Sequence, residues 1–186
     1  MVSGSNNTLG AVTVTASANS TINIYISGSV NVIAGMTVTG SANSVTSIYI
    51  SGSYNSLGGL TVTTSDGASV EISVDGSNNA ISGGTISASD SSSSEWNASG
   101  DWNTISGATI TTSQFGSSDI ELTGTSNALT GITATSSGNS VFTLIMPSMG
   151  YADTGRIVTT MLGDVVTVSV PQQRLLLSSF LAQRKA

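Results

Sequence analysis

Carboxylates recur at one position of this sequence in a pattern that could hold a cation or cleave a glycosidic bond. Glu71, Glu95 and Asp119 follow one another at intervals of 24 residues, and Glu121 stands two residues further on. Clustered carboxylate oxygens are typical ligands of Ca²⁺, and two carboxyl groups about 5 Å apart are the catalytic pair of a retaining glycosidase. A solvated acidic strip that keeps a sheet from associating with others is the simpler interpretation. We keep Ca²⁺ as the alternative and assign no catalytic residue.

Aromatic rings beside an acid form the second set of candidates. Tyr25 and Tyr49 are 24 residues apart, and Trp102 follows Asp101. Rings of this kind can stack on sugars while a neighbouring carboxylate accepts hydrogen bonds from hydroxyl groups, so these four residues are a candidate glycan-binding set. Packing between rings on adjacent strands is the structural alternative. Trp96 differs from them, because it stands in an apolar column, and we predict that it is buried.

Composition excludes most familiar enzyme chemistry. The 186 residues include no His and no Cys, so imidazole catalysis, thiol nucleophiles, zinc–thiolate sites and disulfides are all excluded. Only 8% of the residues are charged, which excludes a coiled coil or a charged helical bundle. No apolar run is long enough to span a membrane, and the first residues lack the pattern of a secretion signal. We therefore expect a non-enzymatic protein with no membrane span and no obligatory cofactor.

Charge divides the chain into two parts. All acidic residues except Asp153 and Asp164 lie within residues 4–147, a stretch that has no basic residue. The basic residues all follow it: Arg156, Arg174, Arg184 and Lys185. Because an acidic surface repels phosphate backbones, the sequence predicts no nucleic-acid partner.

A strict 24-residue repeat positions the candidate residues. The motif Gly-x-x-Asn occurs six times between residues 4 and 147 without any insertion. Its asparagines are Asn7, Asn31, Asn55, Asn79, Asn103 and Asn127. Between the motifs, Ile and Val alternate with Thr and other polar residues, which is the pattern of strands. The sequence predicts an all-β chain: a single-chain parallel β-helix of six 24-residue coils, with about three strands per coil. We expect the asparagines to form a ladder in which each side-chain amide bonds to the next.

Threonines form two neighbouring columns on the predicted outer face. The pairs are Thr13/Thr15, Thr37/Thr39, Thr61/Thr63, Thr85/Ser87, Thr109/Thr111 and Thr133/Thr135. This array resembles the Thr-x-Thr face of β-solenoid ice-binding proteins, since regular hydroxyl and methyl groups can order water. Thr is also a favoured residue at exposed strand positions. An ice-binding or surface-adhesin solenoid is therefore an alternative function.

Residues 148–186 depart from the repeat. Residues 157–170 are predicted to form a small β-hairpin with its turn at Gly163 and Asp164, and Pro171 stands where a short helix would begin. One face of that helix is apolar. Its residues are Leu176, Leu177, Phe180 and Leu181. We predict that this segment caps the rod, joins subunits or docks onto a partner.

The period, the Gly-x-x-Asn corner and the asparagine column make residues 4–147 resemble the right-handed parallel β-helix (pectin-lyase-like) family, which includes viral tailspike and fibre proteins. The resemblance implies a right-handed coil and a homotrimer. Family enzymes degrade acidic or bacterial-surface polysaccharides, but no motif here carries over a catalytic residue. Uninterrupted repetition favours a structural virion protein over an enzyme, because sites usually need irregular loops.

Such a protein would be a fibre, spike or capsid decoration that is assembled in the host cytoplasm and contacts surface glycans. Its expected partners are copies of itself and other virion proteins. Only three residues precede the first corner at Gly4, too few to cover the apolar residues of the first coil. We therefore expect that coil to be frayed or to be covered by another chain.

Overall fold

The computed structural model describes residues 1–145 in full and, for Ala152–Asp153 and Val165–Ser169, the backbone only. Within these residues every regular element is a β-strand. Among them there is accordingly no helix of the length and apolarity that crossing a membrane requires.

Seventeen strands follow one another along the described chain. They are β1 (Val2–Ser3), β2 (Thr8–Leu9), β3 (Val12–Ala16), β4 (Thr21–Ser27), β5 (Val32–Gly40), β6 (Val45–Ser51), β7 (Ser56–Thr64), β8 (Ser69–Asp75), β9 (Ala80–Ala88), β10 (Ser93–Ser99), β11 (Thr104–Ser113), β12 (Ser117–Thr123), β13 (Ala128–Thr130), β14 (Thr133–Ser137), β15 (Val141–Ile145), β16 (Ala152–Asp153) and β17 (Val165–Ser169). Sheet A stacks β1, β4, β6, β8, β10, β12, β15 and β17, and sheet B contains the remaining strands.

Each 24-residue coil contributes one strand region to each sheet. In coil 2 (residues 28–51), a corner at 28–31 leads into β5 of sheet B, and a second corner at 41–44 leads into β6 of sheet A. Every strand pairs in parallel with its equivalent in the next coil, so Ile24 lies opposite Ile48 and Ile48 opposite Ile72. The parallel solenoid of about six coils, numbered 1 to 6 from Gly4, is thereby confirmed.

The structure differs from the expected three strands per coil. In the middle coils the region of sheet B is one strand that bends at a glycine, with φ of 86° at Gly35 and 58° at Gly83. In coils 1 and 6 the bend divides it into two short strands. The bend places two residues between the buried Ile33 and Met36, so the inward spacing there is three and not two.

The core lies between the two sheets and is made of stacked columns. Ile48, Ile72, Trp96 and Ile120 form one such column, and each is buried. Trp96 fits there because Gly84 opposite has no side chain: a Cβ at Gly84 would lie 3.2 Å from the Trp96 ring. The predicted burial of Trp96 is confirmed.

Beyond residue 147 the described backbone continues the stack. Val165–Ser169 pairs in parallel with Val141–Ile145 at the same interval of 24 residues, and Ala152–Asp153 pairs with Leu129 and Thr130. The first strand and the turn of the hairpin expected over 157–170 lie outside the described residues, so that prediction stays a prediction. The predicted helix from Pro171 and its apolar residues Leu176, Leu177, Phe180 and Leu181 lie outside the described residues.

Candidate functional site

The Gly-x-x-Asn corner turns the chain from sheet A to sheet B. Its glycine has a φ between 104° and 131° in every coil, a conformation that L side chains rarely adopt. Space imposes a second requirement, because a Cβ on Gly76 would fall on the carbonyl group of Gly52 in the preceding coil. Only glycine meets both requirements in coils 2–6, and at Gly4 the backbone conformation alone applies.

The asparagines of the corner form a continuous ladder along the solenoid. The main-chain N–H of each of the first five donates to the side-chain Oδ1 of the asparagine in the next coil, at 2.7–3.0 Å. This geometry differs from the expected bonding between side-chain amides, which occurs only from Asn7 Nδ2 to Asn31 Oδ1. The asparagine side chain serves mainly as an acceptor for a buried N–H group that has no partner in either sheet.

A second ladder at the same corner was not predicted from the sequence. The residue after the glycine has a side-chain oxygen that accepts a hydrogen bond from the main-chain N–H of its equivalent in the following coil. Its members are Ser5, Ser29, Ser53, Ser77, Asp101 and Thr125. The sequence could have indicated this ladder, because the residue after the corner glycine has a side-chain oxygen in every coil. The change of residue type at Asp101 and Thr125 obscured it.

Asp101 belongs to this ladder, and its position explains its charge state. Its Oδ1 accepts hydrogen bonds from the main-chain N–H of Thr125 at 2.7 Å and from the Thr125 hydroxyl at 2.8 Å. The N–H of Thr125, and then its hydroxyl, hold the pKa of Asp101 below its usual value. The carboxylate is thus fixed and ionised at the surface, directly before Trp102.

The third residue of the corner also has left-handed backbone, with φ between 58° and 61°. Its side chain is exposed in coils 1–5: Tyr54 and Trp102 are each 62% accessible, and Val30 is 47% accessible. The column consists of Asn6, Val30, Tyr54, Asn78, Trp102 and Ser126. Sequence reasoning selected Trp102 but missed Tyr54, whose place in the same column follows from the repeat.

Tyr25 and Tyr49 lie elsewhere, on the outer face of sheet A in coils 1 and 2. Their rings stack with centroids 5.2 Å apart and planes inclined by 16°. The Tyr49 hydroxyl lies 3.3 Å from Glu71 Oε2. The contact is packing between adjacent strands, and Trp102 stands three coils further along. The structure therefore does not gather the four predicted glycan-binding residues into one site.

The acidic column lies on sheet A in the expected register. Glu71 and Asp119 flank Glu95 on the two adjacent strands. Glu95 Oε1 accepts a hydrogen bond of 2.7 Å from Asn97, and Glu121 lies opposite Asn97. In the part of the chain that the structure describes, no three acidic groups come close enough together to hold a metal ion. The arrangement matches a solvated strip and adds nothing to the Ca²⁺ hypothesis.

The threonine columns lie on the outer face of sheet B. Thr37 pairs with Thr13 and Thr61, and the same register continues through coil 6. No charged residue stands in the strands of sheet B from β2 to β14. The two faces of the solenoid therefore differ: sheet A is acidic, and sheet B presents small neutral side chains.

Comparisons with protein-family models, with curated proteins and with solved structures find no match to this chain. The similarity that the structure supports is architectural, that of a parallel β-solenoid.

Proposed function

We propose that this chain is a structural protein of a virion, a rigid rod that serves as a fibre, spike or capsid decoration. The single observation that supports this role is the bonding of the corner. In coil 2 all four corner N–H groups are bonded: that of Gly28 donates to Ser51 at the end of the same coil, those of Val30 and Asn31 to the next coil, and that of Ser29 to the preceding one.

The same bonding recurs in coil 3, where the four corner residues donate to Asp75, Ser29, Ser77 and Asn79. Segments in which every backbone donor is bonded open rarely, and proteases cut segments that open. The corner would therefore resist proteolysis although it lies at the surface. Resistance of this kind is what a fibre needs outside a cell.

The step from a rigid rod to a virion rests on the resemblance to viral β-helices and is an analogy of fold. It implies a homotrimer, with residues 148–186 joining the subunits and other virion proteins at the first coil or at the C-terminal segment. The glycoside hydrolase alternative has less support, because the 24-residue repeat that contains the acidic column has no inserted loop.

Particles purified from the native source test the proposal. We expect the chain in the particle fraction after density-gradient centrifugation, in copy numbers that are multiples of three. Electron microscopy with an antibody against the chain should place it on the particle surface. Its presence in a cell-envelope fraction and absence from particles would contradict a virion role.

Ice binding is the second candidate, and one observation favours it. Two threonine columns run side by side through six coils in unbroken register on a face without charge. Thermal hysteresis of the full chain is the measurement. Activity that Thr63→Arg on sheet B abolishes and Ser73→Arg on sheet A leaves intact would establish this function in place of the first.

A further inference from the structure

We propose that the corner column with Tyr54 and Trp102 binds an extended polysaccharide, neutral or basic, whose alternate sugar units stack on the two rings. The proposal goes beyond a structural role and does not require a virion. The failure of either proposal therefore leaves the other standing.

Both aromatic residues of the column have a strained backbone conformation. Tyr54 and Trp102 both have a φ of 61°, in the left-handed region that disfavours bulky L residues. Asn6 and Asn78 occupy the same position in coils 1 and 4, and asparagine adopts this conformation at lower cost. Two coils therefore carry an aromatic residue where the fold itself favours asparagine. Strained residues of this kind are a marker of function.

Both aromatic side chains of the column are also largely exposed to solvent. Both rings are 62% accessible, so neither contributes to the core between the sheets. Aromatic side chains have flat apolar faces that bury well against flat apolar partners. The exposed rings therefore have surface to bury against a ligand.

Spacing and polarity select a polysaccharide as that ligand. Tyr54 and Trp102 are two coils apart, about 9.6 Å at a strand separation of about 4.8 Å. This distance is similar to a disaccharide unit of an extended polysaccharide, which presents alternate sugar rings in equivalent orientations. Asn78 lies between the two rings, and its amide can both donate to and accept from hydroxyl groups.

Asp101 supplies a fixed acceptor beside Trp102. Thr125 holds its Oδ1, whereas its Oδ2 makes no hydrogen bond within the described residues. A ring face next to an ionised carboxylate can bind both the apolar face and the hydroxyl groups of one sugar.

Charge narrows the class of polysaccharide. All eight acidic residues of coils 1–6 occur without any basic residue. A sulfated or uronic-acid polymer would be repelled by this surface, whereas a neutral or amino-sugar polymer would not.

Affinity electrophoresis of the full chain in native gels tests the proposal. The probes are a soluble β-1,4-glucan, chitosan oligosaccharides and, as the anionic control, heparin. We expect at least one of the first two to retard the protein and heparin to leave its mobility unchanged. Tyr54→Asn and Trp102→Asn should each weaken the retardation about tenfold or more.

Phe115→Asn is the matched control. Phe115 is 65% exposed and has a φ of 66°, but it lies at the opposite corner, where Asn19 and Asn43 occupy the same position in coils 1 and 2. All three variants replace a strained aromatic residue with the residue that the fold accepts. All should therefore raise the melting temperature, and only Phe115→Asn should keep binding intact.

Iodide quenching gives a second readout, because Trp96 is buried and Trp102 is exposed. The polysaccharide should protect Trp102 from iodide at any protein concentration. Protection that appears without polysaccharide and grows with protein concentration would mean that a second copy occupies the rings, and would overturn the proposal. Two other results would also overturn the proposal. One is that Trp102→Asn binds the polysaccharide as tightly as the wild type, and the other is that the wild type binds neither the β-1,4-glucan nor the chitosan oligosaccharides.

Discussion

At the scale of single residues, left-handed backbone makes this coil possible. The corner after sheet A uses a glycine and, two residues later, a second left-handed residue, whereas the corner after sheet B uses two in succession, such as Ala42 and Asn43. Each such turn lets the chain reverse direction within four residues. The coil length therefore stays constant, and equivalent residues stack.

Substituting the corner glycine should show how much of its role is conformation and how much is space. In Gly76→Ala the methyl group would collide with the Gly52 carbonyl, and φ would remain at a disfavoured 131°. Gly4→Ala has the conformational penalty alone, because the nearest atom to its Cβ is Asn7 Nδ2 at 3.6 Å. Backbone strain costs about 1–3 kcal/mol. Denaturant unfolding should show a loss of this size for Gly4→Ala and a clearly larger loss for Gly76→Ala, and equal losses would mean that the collision relaxes without cost.

Asp101 gives the ladder a dependence on pH that serine does not. The folded state lowers its pKa from an ordinary value of 3.8, so the carboxylate stabilises the fold above that value. The stabilisation is lost as the pH falls through the folded pKa. Asp101→Ser keeps the acceptor and removes the titration, as in four other coils. Its unfolding free energy should therefore fall less on acidification below about pH 4 than that of the wild type, and parallel pH profiles would show that Thr125 does not favour the ionised form.

At the scale of elements, the two ladders of the corner have opposite polarity. In the asparagine ladder the N–H of one coil donates to a side-chain oxygen of the following coil. In the serine ladder the N–H of one coil donates to a side-chain oxygen of the preceding coil. Each corner between two others is therefore hydrogen-bonded both to the preceding coil and to the following coil. The ladders continue the hydrogen bonding of the sheets through the turns, where unpaired N–H groups would otherwise be left.

Asn55 is in the middle of its ladder, and Asn7 is at the end. Asn55 Oδ1 accepts the N–H of the fully buried Asn31 at 2.9 Å, so Asn55→Ala leaves that donor without a partner. The expected cost is about 1–3 kcal/mol. Asn7 is in the first coil, so no N–H of a preceding coil donates to its side chain, which only donates, to the Gly4 carbonyl and to Asn31 Oδ1. Thermal unfolding should therefore show a smaller shift for Asn7→Ala, and equal shifts would contradict a directional ladder.

The repeat predicted the stacking of elements but not the details that depend on main-chain groups. The period alone placed Glu71 beside Glu95 and Tyr25 beside Tyr49, because parallel pairing in register follows from equal coil lengths. The donor in the asparagine ladder is a main-chain N–H, and side-chain patterns do not report it. Tyr54 was overlooked because its column contains five residue types, and only its backbone conformation makes the position uniform.

The pairing partner of a short strand is a second feature that the sequence pattern does not determine. Residues 165–169 alternate as any strand does, and the turn residues before them favoured a hairpin. The backbone places them in a parallel strand beside β15, which the hairpin pattern did not predict, and the expected hairpin partner lies outside the described residues. The edge of β15 offers main-chain hydrogen-bonding groups to a further strand. A local sequence pattern does not show whether a strand pairs with such a distant edge or with a neighbouring segment of the chain.

At the scale of the whole molecule, the two sheets give the rod two different sides, and the corner column separates them. Sheet A has the acidic strip and the stacked tyrosines, whereas sheet B has the neutral threonine columns. Adjacent copies that pack through sheet A would bring like charges together. Self-association of the rod therefore favours sheet B or the ends of the stack.

The first coil is the least protected part of the described solenoid. Ile22 and Ile24 are only partly buried, whereas Thr46 and Ile48, which occupy the equivalent inward positions in the next coil, are both 0% accessible. In sheet A the short strand β1 pairs only with Ile26 and Ser27 and leaves the rest of the N-terminal-side edge of β4 unpaired. Coils with fewer buried contacts open with a smaller free energy. In the isolated protein, amide hydrogen exchange should therefore be faster in residues 4–27 than in residues 52–99. A partner that covers this edge should slow the exchange there without changing the centre. Uniformly slow exchange across both ranges, in a monodisperse sample with nothing bound, would show that the first coil needs no cover.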